Sequence, residues 1–311
     1  MKNRCQIVIP ARLASTRLSE KLLQKVAGRT VLEHTFRAAS AATCAEAVLI
    51  AVDDPRLAEI CDSFAAPWIM TRPDCPSGTD RIAEVASQMP DVDVFVNVQG
   101  DEPEIDPRAI DAVAQTLLQH ESADMSTAAA PIRSVQALQD PGIVKVVMGD
   151  PSPQQPPQSV SRKALAAGAK TPPTGETPLS AASDLPATNA GRETIESTTC
   201  QDSEKQNLEK QGRAIYFSRA PVPYDRDQNP ETRLHQFPPV YWHHLGLYAY
   251  RRSFLQWFAA HPPSPLEQIE RLEQLRAIQA GKTIMVAHVD SATPGIDTQA
   301  DLDAFRQRLS Q

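Results

Sequence analysis

Three cations punctuate a run of small residues near the start of the chain: Arg12, Arg17 and Lys21 in PARLASTRLSEKLL, among Ala11, Ala14, Ser15 and Thr16. Intervals of five and four residues do not place them on one helix face. Small side chains also let a backbone come close to a ligand. The chemistry this pattern suits is neutralisation of polyphosphate oxygens, whose charge otherwise repels an incoming nucleophile. A solvated basic loop has the same spacing, and spacing alone does not choose between the two. The loop is neither a Walker loop nor a dinucleotide fingerprint, since G-x-x-x-x-G-K-[ST] and G-x-G-x-x-G are both absent.

A second cluster lies in VFVNVQGDEPEIDP, where Gln99, Gly100, Asp101 and Glu102 follow a strand-like run. A carboxylate at the carboxyl end of a strand, beside a phosphate loop, is where a hard cation such as Mg2+ is held. Gly-Asp is also ordinary turn chemistry; with a basic loop in the same sheet, the metal reading is preferred. In the tail, PGIDTQADLDAF offers Asp297, which by residue chemistry alone reads with Thr298 as a helix start worth about 1 kcal/mol. His243 and His244 precede LGLYAY and read as partly buried hydrogen-bonding residues. The glutamates of SPLEQIERLEQLRAIQAGK recur at helical spacing and read as mostly solvated. No G-x-S-x-G elbow, H-E-x-x-H pair or cysteine-nucleophile signature occurs.

The elements that must position these residues alternate in type. Strand-like CQIVIP, AVLIAV, PWIM and VFVNVQ are separated by helical patterns over about 31–41, 56–64 and 79–88, with a further helix over 107–120. Continuous rather than alternating apolar strands predict an α/β sheet, mostly parallel and covered on both faces. Ligands of such sheets sit at the carboxyl ends of the strands, where both clusters fall. From 150 to 211 Pro, Ser, Thr, Ala and Gln dominate and no Phe, Trp or Tyr occurs, which predicts a disordered insertion. Apolar patterning resumes afterwards, so 1–149 and 212–311 are expected to form one domain around it.

Composition narrows the class of function. The chain has 311 residues, a formal net charge of -7 and 41% hydrophobic residues, as expected of a globular protein. The acidic balance argues against general nucleic-acid binding, which needs a basic surface. Five widely spaced cysteines without a C-x-x-C pair predict neither a disulfide scaffold nor structural zinc. The N-terminal apolar run is too short for a signal-peptide core, and no segment approaches the ~20 apolar residues of a membrane span, which predicts a cytoplasmic protein without a membrane partner.

Together, IPARLASTRL, SGTDRIAEV, VNVQGDEP, VKVV, IYFSRAPVPYDRD, HLGLYAYRR, PSPLEQIERLEQLR and GIDT closely resemble the CMP-Kdo synthetases, the 3-deoxy-manno-octulosonate cytidylyltransferases of lipopolysaccharide biosynthesis. Their order and spacing cover nearly the whole chain apart from the insertion. The resemblance implies a Rossmann-like nucleotidyltransferase fold with a mixed, mostly parallel sheet flanked by helices, in a homodimer. It implies Mg2+-dependent transfer of CMP from CTP to 3-deoxy-manno-octulosonate (Kdo), with pyrophosphate released. It assigns Ala11, Arg12, Arg17 and Lys21 to the triphosphate loop, and Ser77 and Arg81 to nucleotide contact. Asp101 and Asp297 become the Mg2+ ligands, replacing the helix-cap reading of Asp297, and with Lys21 they form the implied catalytic set. Gln99, Arg219, His244, Tyr248 and Glu273 fall at the sugar-binding positions, Arg219 being suited to a sugar carboxylate. Two other readings are the same chemistry on another acidic sugar, and a catalytically silent nucleotide-binding protein.

The chain departs from the family pattern at several points. STRLSEKLL stands for the usual STRLPGKPL, placing Glu20 next to Lys21, where it either weakens triphosphate binding or points outward. Cys75 and Asp80 replace the histidine and glutamate of H-x-SGTER. The insertion stands where the family has a short connection, and a longer flexible loop costs only ~0.6 kcal/mol per doubling.

Overall fold

The computed structural model describes residues 4–14, 18–150, 211–227 and 229–310. The predicted disordered insertion lies outside these residues apart from its two ends. Asp150 is described, and Gln211 is not part of a linker but opens a strand. Arg17 also lies outside the described residues.

Nine strands make the main sheet. In chain order these are β1 (Cys5–Ala11), β4 (Val48–Val52), β5 (Trp68–Met70), β6 (Val94–Asn97), β7 (Met125–Pro131), β8 (Lys145–Gly149), β9 (Gln211–Ser218), β10 (Trp242–Arg251) and β11 (Ile284–His288). Their spatial order is β5-β4-β1-β6-β10-β7-β11-β9-β8. A small hairpin, β2 (Lys25–Val26) with β3 (Arg29–Thr30), stands apart. The main sheet is mixed: β10 runs antiparallel to both β6 and β7, β9 runs antiparallel to β11 and β8, and the other strands share one direction.

Both faces are covered, which is why the strands read as unbroken apolar runs. Ile7, Ile9, Val94 and Val96 point into one core with helices α1 (Val31–Ala39) and α4 (Pro107–Gln119), whereas Val8, Ala51 and Phe95 point into another with α3 (Gly78–Gln88). Helix starts are set by side-chain caps that the sequence carries openly. Thr30, Asp54, Ser77 and Asp106 each accept a backbone N–H at the head of α1, α2 (Pro55–Ser63), α3 and α4. These helices fall within about two residues of their sequence-predicted limits.

One prediction fails. The stretch from Ser264 is not one solvated helix: after α5 (Val135–Gln139), α6 (Pro230–Leu234) and α7 (Arg252–Ala260), the chain forms α8 (Pro265–Glu270) and α9 (Gln274–Gln279), bent at Arg271 with φ of 54°. The bend turns the glutamates inward. Glu267 is buried against Arg276, Glu270 accepts from the Ser218 hydroxyl at 2.7 Å, and Glu273 accepts from the Thr79 hydroxyl at 2.8 Å. Helical periodicity cannot register a bend caused by one left-handed residue.

The chain passes from β1 through β4 to β5 on one side, then returns to place β6 on the other side of β1. This reversal opens a crevice at the carboxyl ends of β1 and β6, where Arg12 and Gln99–Asp101 lie.

Candidate active site

Lys21 sits at the centre of the crevice, on a 3-10 turn at Lys21–Leu23. Its ammonium donates to Asp101, and to Asp297 Oδ1 at 3.1 Å. Backbone packing makes this meeting possible. A Cβ on Gly100 would lie 3.1 Å from the Pro10 carbonyl oxygen, so glycine lets the turn after β6 settle on the end of β1. The Ile296 N–H then donates to the Asp101 carbonyl at 2.8 Å, drawing in the segment that carries Asp297. The cap of the last helix, α10 (Gln299–Leu309), is Thr298 in a capping box with Asp301. Asp297 therefore lies outside the helix, facing Lys21. Burial by itself would lower the Lys21 pKa, but Asp101 and Asp297 outweigh it and hold the ammonium above its usual range.

Two carboxylates converging on one cation are a hard-oxygen donor set. Among the described residues no group of three or more His, Cys, Asp and Glu could enclose a metal. Mg2+ needs no such cage, because it is typically held by one or two carboxylates together with substrate phosphates and water. Asp101 and Asp297 fit that ion.

A groove of about 300 Å3 lined by Arg12, Ala14, Lys21, Gly78, Gln99, Asp101 and Asp297 runs past this pair. Ala11 is buried at the end of β1, and Arg12 carries a buried Nη2 without a hydrogen-bond partner, a donor left for an anion. Ser77 caps α3, with its oxygen accepting from the Asp80 N–H at 3.1 Å. Arg81 is fully buried: its guanidinium donates to Thr71 Oγ1, and to Asp53 Oδ2 at 3.2 Å. It does not line the groove. Asp53, missed in the sequence, joins it to the loop by accepting from Leu13 N–H at 3.0 Å.

A larger cavity of about 610 Å3 adjoins the groove, sharing Gly78, Gln99 and Asp297 with it. All five sugar-position residues, Gln99, Arg219, His244, Tyr248 and Glu273, line this cavity. His244 and Tyr248 reach it from alternate positions of β10. Gln99 Nε2 donates to the Gly246 carbonyl at 3.3 Å. Arg219 donates to the carbonyls of Glu270 at 2.8 Å, Pro141 at 2.9 Å and Arg271 at 3.4 Å, which fixes its plane and leaves N–H groups for a carboxylate. Glu273 has its pKa raised by burial, with the Thr79 and Ser77 hydroxyls opposing the shift. Glu102, given no role from the sequence, also lines the cavity, and burial together with Asp101 pushes its pKa up to about 8. Only its place beside Asp101 signalled it.

His244 is buried, with Nε2 3.0 Å from Thr127 Oγ1, and burial and neighbouring His243 push its pKa down to about 3. It is neutral at working pH. Between that value and the unfolded value near 6.5, the unfolded chain holds the extra proton, so acid weakens the fold. The His244 contribution is expected to lower stability by up to about 2 kcal/mol from pH 7 to pH 5. Urea unfolding of wild type and His244→Gln at both pH values checks this; equal pH slopes in the two proteins would contradict it.

A family model described as cytidylyltransferase matches residues 6–166 and 180–284. The chain belongs to the cytidylyltransferase family. It is 47% identical over 306 residues to a 3-deoxy-manno-octulosonate cytidylyltransferase of Rhodopirellula baltica, covering 98% of each chain. A protein of the same name from Solibacter usitatus is 36% identical over 296 residues, covering 95% of this chain and 90% of that one. Among solved structures, a CMP:2-keto-3-deoxy-manno-octonic acid synthetase complexed with CTP superposes with a TM-score of 0.73 at 30% identity, covering 99% of both chains. The α/β nucleotidyltransferase fold with a mixed sheet and flanking helices is thereby shown.

Against this cytidylyltransferase background the departures find local explanations. The Glu20 carboxylate does not turn toward Lys21; it accepts from Arg56 Nη1 at 2.7 Å on the surface. Glu20→Ala is therefore expected to change the KM for CTP by less than about two-fold, an exposed pair being worth little. Steady-state kinetics at varied CTP decide it, and a several-fold change would show that the charge reaches the groove. Asp80 Oδ2 accepts from the Ser77 hydroxyl at 2.7 Å, and the Cys75 thiol donates to Glu84 at 3.2 Å. Neither substitution leaves a gap in hydrogen bonding.

Proposed function

We propose that this chain transfers CMP from CTP to the anomeric hydroxyl of Kdo, giving CMP-Kdo and pyrophosphate for lipopolysaccharide biosynthesis. The observation that carries the reading is the position of the Lys21, Asp101 and Asp297 cluster, where a groove with an unpartnered arginine donor meets a cavity lined by all five expected sugar contacts. The family membership and the names of its relatives support the same activity.

In this reading the anomeric oxygen forms a bond to the α-phosphorus as the bond to the β-phosphate oxygen breaks in line. Pyrophosphate leaves with the electron pair, and the hydroxyl proton passes to solvent. Arg12 and Lys21 lower the charge on the triphosphate so that the oxygen can approach. Arg219 holds the sugar carboxylate, and Gln99 with neutral His244 orients the ring by hydrogen bonds. Asp101 and Asp297 hold Mg2+, which when bound supplies Lewis-acid charge to the phosphate oxygens. No group need act as a strong base, because positioning and charge neutralisation carry most of such a transfer. A homodimer belongs to the same reading, as does a cytoplasmic location. No helix among the described residues is long and apolar enough to cross a membrane.

Mass spectrometry of an incubation with CTP, Kdo and Mg2+ tests the assignment. CMP-Kdo is the expected product. CTP binding without any product would favour the silent nucleotide-binding protein instead.

A further inference from the structure

The parallel ladder between β1 and β4 ends with Ala11 opposite Val52. Arg12 and Leu13 follow on one strand and Asp53 on the other, so the stretch that carries Arg12 has left the sheet. The Val52 carbonyl does not reach across to it, because that oxygen already accepts from the Thr71 N–H at 2.8 Å and the Thr71 hydroxyl at 2.9 Å. Asp53 supplies the acceptor instead: its Oδ1 takes the Leu13 N–H at 3.0 Å. Arg12 is thereby held between two fixed backbone points, the strand end at Ala11 and the carboxylate bond at Leu13.

The other oxygen of Asp53 is engaged as well. Oδ2 accepts from Arg81 Nη2 at 3.2 Å, while Arg81 Nη1 donates to the Thr71 hydroxyl oxygen. Arg81 is fully buried in the first turn of α3, where burial lowers its pKa and Asp53 is the foremost of the charges opposing the shift. Arg12 pushes in the same direction as burial, so the two guanidinium groups are near enough to repel. The pairing with Arg81 keeps the carboxylate from turning away from Leu13, and Arg12 keeps a buried Nη2 without a hydrogen-bond partner.

A cation that must meet an anionic ligand binds it more tightly when its position is fixed beforehand, because binding then has less to order. Arg12 lines the groove of about 300 Å3, whereas Asp53 does not. We propose that Asp53 is a positioning residue for the nucleotide: by fixing the Leu13 N–H it keeps the Arg12 guanidinium turned to the groove before CTP arrives. The inference rests on CTP being the donor substrate and deepens that reading. Asp53 acts through Arg12 rather than on the nucleotide itself.

The test removes this one hydrogen bond from the full chain by incorporating the α-hydroxy analogue of leucine at position 13, which turns the Leu13 amide into an ester and leaves Asp53 paired with Arg81. CTP binding is titrated, and initial rates are measured at varied CTP and Kdo. The Kd and KM for CTP are expected to rise about 5- to 30-fold, the factor for ordering about one more backbone residue on binding, while kcat and the KM for Kdo stay within about two-fold. In an Arg12→Ala background the same ester should change the Kd for CTP by less than about two-fold, since the group it positions is gone. Asp53→Ala should raise the Kd for CTP at least as far; should it fail to fold because Arg81 loses its partner, the ester carries the comparison. An unchanged Kd in the ester protein, or an equal rise with and without Arg12, overturns the proposal. Failure of the CTP reading itself is distinguishable, since wild type would then neither bind CTP nor release pyrophosphate from it.

Discussion

Asp101→Ala is expected to lower turnover at least about 100-fold while leaving the fold nearly as stable as wild type. The carboxylate is partly exposed and packs no core; its contact is the Lys21 ammonium. In the variant Lys21 keeps Asp297 at 3.1 Å, so no buried charge is stranded, and the loss of one partly exposed pair costs at most about 1 kcal/mol. Under the proposed metal role the catalytic loss is expected to be far larger, because losing a metal carboxylate would weaken the charge that offsets the triphosphate in the transition state. Asp297→Ala should behave alike. Stopped assays at saturating CTP, Kdo and Mg2+, paired with thermal melts, separate the two effects. Near-wild-type turnover in either variant would remove the metal assignment, and a collapse of the melting temperature would show that the cluster is structural.

The largest effect on stability is expected at Arg276. Its guanidinium donates to both oxygens of Glu267, at 2.6 and 2.8 Å, caps the carbonyls of Phe258 and His261, and lies 3.8 Å over the Phe258 ring. Both partners are buried, so Arg276→Leu strands a carboxylate and should cost about 3–5 kcal/mol. Pairing it with Glu267→Leu should recover much of that loss, because removing both charges removes the stranded one. Urea denaturation of the single and double variants measures the difference. A double variant no more stable than the single one would mean that packing, rather than charge, is what Arg276 supplies. Since this pair ties α8 to α9, which carry Glu270 and Gln274 and flank Glu273, the single variant should also raise the KM for the sugar.

Much of the frame was legible because it is specified locally. Thr30, Asp54, Ser77 and Asp106 announce their helices by capping chemistry, and unbroken runs such as CQIVIP announce a sheet covered on both faces. Lys21 and Asp101 were visible as chemistry beside strand ends, whereas Asp297 was legible only through the resemblance. Its residue chemistry favoured a cap, and the cap turned out to be Thr298. What remained hidden depends on distant contacts. Asp53 meets Leu13 and Arg81, Gln274 meets Tyr248, and Glu267 meets Arg276 only after the bend at Arg271. No short-range period encodes those meetings. Arg81 is a further case, since nothing in SGTDR announces that its guanidinium donates to Thr71 and Asp53.

The central claim is that the groove and the cavity join CTP to Kdo across the Lys21, Asp101 and Asp297 cluster. The most direct measurement is the initial rate of pyrophosphate release by the purified protein with CTP and Mg2+, alone, with Kdo and with sialic acid, and with ATP, GTP or UTP in place of CTP. Release that requires both CTP and Kdo is the expected result. Silence with Kdo despite measurable CTP binding, or release that proceeds equally well with sialic acid, would contradict it.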